Sequence, residues 1–266
     1  MVVSSLRVPK HGNTLPECED AAHVLPVDPG LVLAAVADGA SESLLAGEWA
    51  DLLARSVNDS VLDDECAVRD ADRFASALVL AGEAWDGWLA SYVARREADG
   101  RPIAWYEEPK LDRGPHATVL AARFATEASE ASGSSGTSWD AAALGDSCLF
   151  HVRDDRLVRA FPLESADAFS NSPGLVNAFN RDRELLARHV RTASGRAEPG
   201  DRFFLCTDAL AAWFLGAADR GDRPWRELGE FTRSGDLDGF SGWLEGPRAE
   251  GVMRNDDVTV VHVDLG

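Results

Sequence analysis

Residues 31–43, LVLAAVADGASES, constrain this chain more than any other stretch: seven apolar residues in a row end abruptly on Asp38 and Gly39. A short apolar run bounded by turn signals is a strand built for the interior. Before it, DPG (28–30) is a strong turn signal, and EDAAHVLPV (19–27) reads as the partner strand. In a hairpin turning at Pro29, Asp20 lies nine residues before the turn and Asp38 nine after it. Antiparallel pairing therefore brings both carboxylates to one open end.

The arrangement recurs later in the chain. DRFFLCTD ends on Asp208 and DDVTVVHV begins at Asp256, so antiparallel pairing of these two strands makes their acids meet as well. A single aspartate at a strand end is commonly a turn or N-cap residue. Four of them, each flanking a strand, form a cluster whose mutual repulsion either pushes their pKa values up or recruits a cation. Oxygen ligands with no interleaved His or Cys suit Mg²⁺ or Mn²⁺ better than zinc.

Between these acids the chain reads as alternating blocks. Leu45, Trp49, Leu52 and Leu53, then Phe74, Leu78, Ala81, Trp85, Trp88 and Tyr92, follow helical spacing and predict two helices whose stripes are core. From 116 onward short strands are expected at 117–124, 139–144, 148–153, 157–163, weakly at 187–193, and at 202–206, spaced for antiparallel meanders. The low-complexity TEASEASGSSGTS (126–138) reads as an exposed loop. Segment 164–186 is polar, partly helical and placed to lie over a cleft. Helical pieces after TDALAAWFLGA, near 224–231 and 236–246, precede the final strand VTVVHV, giving an α+β layered architecture.

Composition narrows the function. The 266 residues, 45% hydrophobic, suffice for one domain with a sizeable core. A formal net charge of −19 argues against nucleic acid or an anionic membrane as partner. MVVSSLRVPKHG lacks the apolar region of a secretory signal, and no apolar run approaches the roughly 18 residues of a membrane span, so a cytoplasmic protein is expected. Cys18, Cys66, Cys148 and Cys206 are scattered without zinc spacing and read as buried thiols. Of the 26 basic residues, two are lysines, Lys10 and Lys110, and 24 are arginines, which singles out the lysines for a local explanation.

CEDA (18–21), VADGASES (36–43), ALGDSCLF (143–150), LCTDAL (205–210) and DDVTVV (256–261) occur in the order and approximate spacing of the PP2C-type metal-dependent protein phosphatases, particularly bacterial members, which the chain resembles from about residue 7 to its end. The resemblance implies a single domain over 1–266 with a four-layer αββα sandwich, two central antiparallel sheets flanked by helices. It implies a binuclear Mn²⁺ or Mg²⁺ centre that activates water to hydrolyse phosphoserine or phosphothreonine in a phosphorylated protein substrate. By motif position Asp38 would bridge both metals, assisted by the Gly39 carbonyl. Asp208 and Asp256 would hold one metal, Glu19 and Asp20 would act on the other chiefly through its waters, and Asp146 would belong to a third position.

Two departures stand out. Leu15 occupies the place of the usual phosphate-binding arginine, and Lys10, in PKHGN just upstream, is the expected substitute. Ala212 stands where many relatives carry an acid, which leaves a third metal one ligand short. Lys110 precedes the HATVL strand and can face the site; Cys18 reads as a bystander, and His116 as either a proton donor or a structural residue. A regulatory pseudophosphatase that binds without turnover, or a phosphatase of a small phosphorylated metabolite, are the alternatives left open.

Overall fold

The computed structural model describes residues 1–128, 135–170 and 172–266. The central part of the low-complexity stretch, 129–134, lies outside the described residues.

Two antiparallel sheets face one another. In the first, β2 (Asp20–Asp28), β3 (Leu31–Gly39), β4 (His116–Ala128), β5 (Ser135–Leu144) and β9 (Arg191–Ala197) are neighbours in that order, and the short β8 (Val176–Asn177) pairs with the start of β4. In the second the order is β1 (Val2–Val8), β11 (Val258–Asp264), β10 (Arg202–Cys206), β6 (Cys148–Arg153), β7 (Arg156–Phe161). Helices α1 (Ala46–Asp63), α2 (Ala71–Ala98) and α4 (Arg183–His189) cover the first sheet. Helices α5 (Asp208–Asp219), α6 (Pro224–Ser234) and α7 (Leu237–Ala249) cover the second.

The layering follows from the two-residue period of a strand. Leu33, Ala35 and Ala37 of β3 pack with Trp49, Leu53, Phe74 and Trp85 of α1 and α2. The alternate residues Val32, Ala34 and Val36 face the other sheet with Phe203, Leu205, Val261 and Val263. A strand covered on both faces has no polar side, which is why 31–37 reads as unbroken hydrophobe. β11 repeats this, with Val258 and Val260 toward α5–α7 and Val261 and Val263 toward the inter-sheet core. Three stacked cores thus give the expected αββα sandwich, and the aromatic stripe of α2 is core over Phe74, Leu78, Ala81 and Trp85.

Several elements differ from the sequence reading. Residues 187–193 do not form one strand: α4 ends at His189 and β9 begins at Arg191. β1 went unread because, of its seven residues, only Leu6 and Val8 are buried, as suits an edge strand. A short helix, α3 (Glu108–Arg113), interrupts the connection between α2 and β4. Among the described residues no helix is long and apolar enough to cross a membrane.

Candidate functional site

The β2–β3 hairpin forms in the anticipated register, with Asp20 directly opposite Asp38. Asp28 Oδ1 closes the turn by accepting from the Gly30 amide at 2.6 Å. Gly39 ends β3 where the chain is tightest: a Cβ there would stand 2.7 Å from the backbone oxygens of both Ala46 and Glu19. Its amide donates to Glu19 O at 3.2 Å, tying the end of β3 to the residue before β2.

The second sheet delivers its acids from the same end. β10 and β11 pair antiparallel as expected, but β10 stops at Cys206, so Asp208 is the first residue of α5 rather than the last of the strand. Thr207 links the sheets: its hydroxyl donates to Asp20 Oδ2 at 2.8 Å and accepts from the Thr259 amide at 2.9 Å. Asp256 lies two residues before β11, with its carbonyl held by Arg248 of α7 at 2.7 Å. Its neighbour Asp257 accepts from the Lys10 and Glu19 amides, both at 2.7 Å, and so fastens the 9–19 segment to the β11 entry. Asp146 sits in the β5–β6 turn after Gly145, whose φ of +117° suits glycine.

The carboxylates crowd. One oxygen each of Asp38, Asp146 and Asp208 lie within 4.8 Å of one another. Burial, then Asp20, Asp208, Asp256 and Asp146, hold the Asp38 carboxyl well above the usual carboxylate range. Burial likewise raises Asp20, with Asp257 and Asp208 adding to it and the Thr207 hydroxyl opposing. Burial raises Asp208 too, against the pull of Arg254. Asp146 is pushed up to about 7 by burial and Asp208, and both its oxygens are buried without a hydrogen-bond partner. Orphaned carboxylate oxygens inside a protein are costly, and a hard divalent cation is the partner that satisfies several at once. The donor set therefore fits a Mg²⁺ or Mn²⁺ centre.

Asp38, Gly39, Asp208 and Asp256 line a cleft of about 650 Å³. Its walls include Ser41–Ser43, Lys110, Arg113, His116 and Arg254, with Ser170, Ser172, Pro173 and Leu175 from the 164–186 segment, which lies along the cleft as read from sequence. Asp20 lies behind this lining, held by Thr207. Glu19 accepts from the Ser41 hydroxyl and from the Lys10 ammonium at 3.3 Å. Lys10 also reaches Ser41 Oγ at 3.1 Å, but it is tied to Glu19 and does not line the cleft. Burial works against the Lys10 charge, yet Glu19, Asp257 and Asp256 outweigh it and raise its pKa. Leu15 is exposed.

Sequence reasoning missed Arg113 and Arg254, which both line the cleft, Arg254 pairing with Asp208. The signal for Arg254 was an arginine two places before Asp256. His116 also lines the cleft. Asn177 donates from Nδ2 to Arg113 O at 2.8 Å and accepts at Oδ1 from the Phe179 amide at 2.8 Å, which fixes its amide orientation. Nδ2 therefore also donates to His116 Nε2 at 3.1 Å, leaving the imidazole proton on Nδ1, 3.5 Å from Ser43 Oγ. Burial lowers the His116 pKa, so the ring is neutral at pH 7. Cys18 is buried, and burial with Asp20 and Asp257 pushes its thiol up to about 12, consistent with a bystander.

The sequence pattern of the family described as protein phosphatase 2C matches residues 9–234. No curated protein sequence matches the chain. Among solved structures, the photosystem II phosphatase PBCP superposes with a TM-score of 0.58 at 14% identity, covering 100% of this chain and 98% of that one. A bacterial serine phosphatase gives 0.58 at 11% identity, covering 100% and 98%. The PP2C phosphatase domain and a fragment of the regulatory domain of SpoIIE from Bacillus subtilis give 0.54 at 13% identity, covering 99% of this chain and 63% of that one. At these identities the likeness is one of fold.

Proposed function

The chain belongs to the protein phosphatase 2C family, the metal-dependent protein-serine/threonine phosphatases, and on that premise we propose that it hydrolyses phosphoserine and phosphothreonine in proteins at a binuclear Mn²⁺ or Mg²⁺ centre. The single observation that carries this reading is the crowding of Asp38 and Asp208, which line the cleft, with the buried Asp146. Asp38, Gly39 through its carbonyl, Asp208 and Asp256 would hold the metals. Asp20 and Glu19 would support one of them from behind, and Asp146 would serve a third position. When bound, a metal pair lowers the pKa of water and neutralises charge on the phosphoryl oxygens.

The chain's own residues supply the remaining needs. Arg254, paired with Asp208, presents a guanidinium in the cleft, and Lys10, paired with Glu19, an ammonium behind Ser41; released from these carboxylates, they would be the cations that stand in for the arginine absent at Leu15. His116, neutral with its proton on Nδ1, is placed to donate a hydrogen bond to the leaving oxygen from the Ser43 side. Replacing either Lys10 or Arg254 with alanine raises KM for a phosphoester. Unchanged kinetics in both variants would reject them as phosphate ligands.

The test of the whole reading is hydrolysis of p-nitrophenyl phosphate and of phosphopeptides with and without Mn²⁺, run beside Asp38→Ala. Metal-dependent turnover that disappears in the variant supports the enzyme. Heat of Mn²⁺ binding with no turnover selects a regulatory pseudophosphatase, the reading that the loss of arginine at Leu15 favours.

A further inference from the structure

Helix α3 divides its charges between two sides. Residues three or four apart share a helix face, whereas residues two apart point in nearly opposite directions. Lys110 and Arg113, three apart, both line the cleft, while Glu108 and Asp112, four apart, do not. Among the described residues neither cation has a carboxylate partner: Arg113 Nε donates to Pro109 O at 3.1 Å, and Lys110 makes no ion pair. The other cations near the acids are engaged, Arg254 with Asp208 and Lys10 with Glu19.

The wall that carries them is anchored. Asn177 of β8 holds Arg113 O, and α3 runs through Gly114 and Pro115 directly into β4. A cleft of about 650 Å³ has room for several residues of a peptide rather than a phosphate alone. In a chain with a net charge of −19, these are two cations on one rim that no carboxylate of the chain pairs with among the described residues. Rim charges of this kind act chiefly on encounter and on choice of partner.

We propose that α3 is a specificity element, in which Lys110 and Arg113 receive carboxylates flanking the phosphorylated residue of a peptide substrate. The inference rests on the phosphatase reading and deepens it by assigning a substrate class.

The test uses two phosphoserine peptides of equal length, one with glutamates and one with lysines on either side of the phosphoserine, beside p-nitrophenyl phosphate, which has no flanks. The wild-type protein favours the glutamate peptide in kcat/KM by about five- to tenfold, the discrimination that two exposed ion pairs supply. In the double variant Lys110→Glu, Arg113→Glu the preference inverts, whereas Lys110→Arg retains it. A wild type that does not distinguish the peptides overturns the proposal, as does a double variant that keeps the preference. A double variant that loses p-nitrophenyl phosphate and both peptides in equal proportion also overturns it, because the cations then hold the reacting phosphate itself. No turnover of any of the three substrates with Mn²⁺ rejects the phosphatase reading, a result distinct from the other failures.

Discussion

Asp146 shows what the site costs a single residue. A carboxyl whose pKa is higher in the folded than in the unfolded chain favours folding while it is protonated. That contribution is complete below the unfolded value of about 4 and is lost as pH rises through about 7. A rise of this size corresponds to about 4 kcal/mol. Asp20, Asp38 and Asp208 shift in the same direction. The metal-free protein therefore loses thermal stability between pH 5 and pH 8, and Asp146→Asn makes that decline shallower. Melting curves in chelator, followed by circular dichroism, check this; a wild-type Tm independent of pH contradicts it.

At the scale of elements, the adjacent acids of the β11 entry both add to the repulsion in the cluster, but only Asp257 holds backbone amides from another segment. Asp256 faces the cleft and adds to the repulsion on Asp38 and Asp208, whereas Asp257 satisfies the Lys10 and Glu19 amides. Asp256→Ala should abolish turnover while leaving the metal-free protein as stable or more so. Asp257→Ala should lower unfolding free energy by about 2–4 kcal/mol, since two partly buried amides lose their acceptor. Urea titrations of the two variants decide the point, and equal destabilisation would be the contrary result. The junction of β3 with α1 is equally exacting. Gly39→Ala places a methyl group against two backbone oxygens that have no flexible side chain to yield, which costs about 1–3 kcal/mol and displaces the carbonyl proposed to hold a metal. Reduced Mn²⁺ affinity by calorimetry is the accompanying readout.

At the scale of the molecule, the site lies where two sheets end together, so its acids come from both halves of the sandwich and the inter-sheet core holds them in place. We expect the chain to unfold as one cooperative unit, with a single calorimetric transition whose midpoint rises with the logarithm of Mn²⁺ concentration. Two separate transitions, or a midpoint indifferent to Mn²⁺, would break that link between site and fold.

The amino-acid sequence by itself determined the local and periodic features. The turn at 28–30, with apolar runs on either side, sets the hairpin register and hence the pairing of Asp20 with Asp38. Helical spacing marked α1 and α2, and the unbroken hydrophobicity of 31–37 marked an interior strand. Other features were decided only by the tertiary structure. The edge strand β1 carries too few buried residues to announce itself, and the α4–β9 boundary depends on the packing that ends the helix. That Arg254 meets Asp208, that Asp257 fastens the segment carrying Lys10 and Glu19, and that α3 presents Lys110 and Arg113 to the cleft all depend on contacts between segments far apart in the chain. Periodicity reports which side of an element is buried, because one backbone geometry repeats along it. What a charged side chain meets is set by how separate elements are brought together, and no local pattern encodes that.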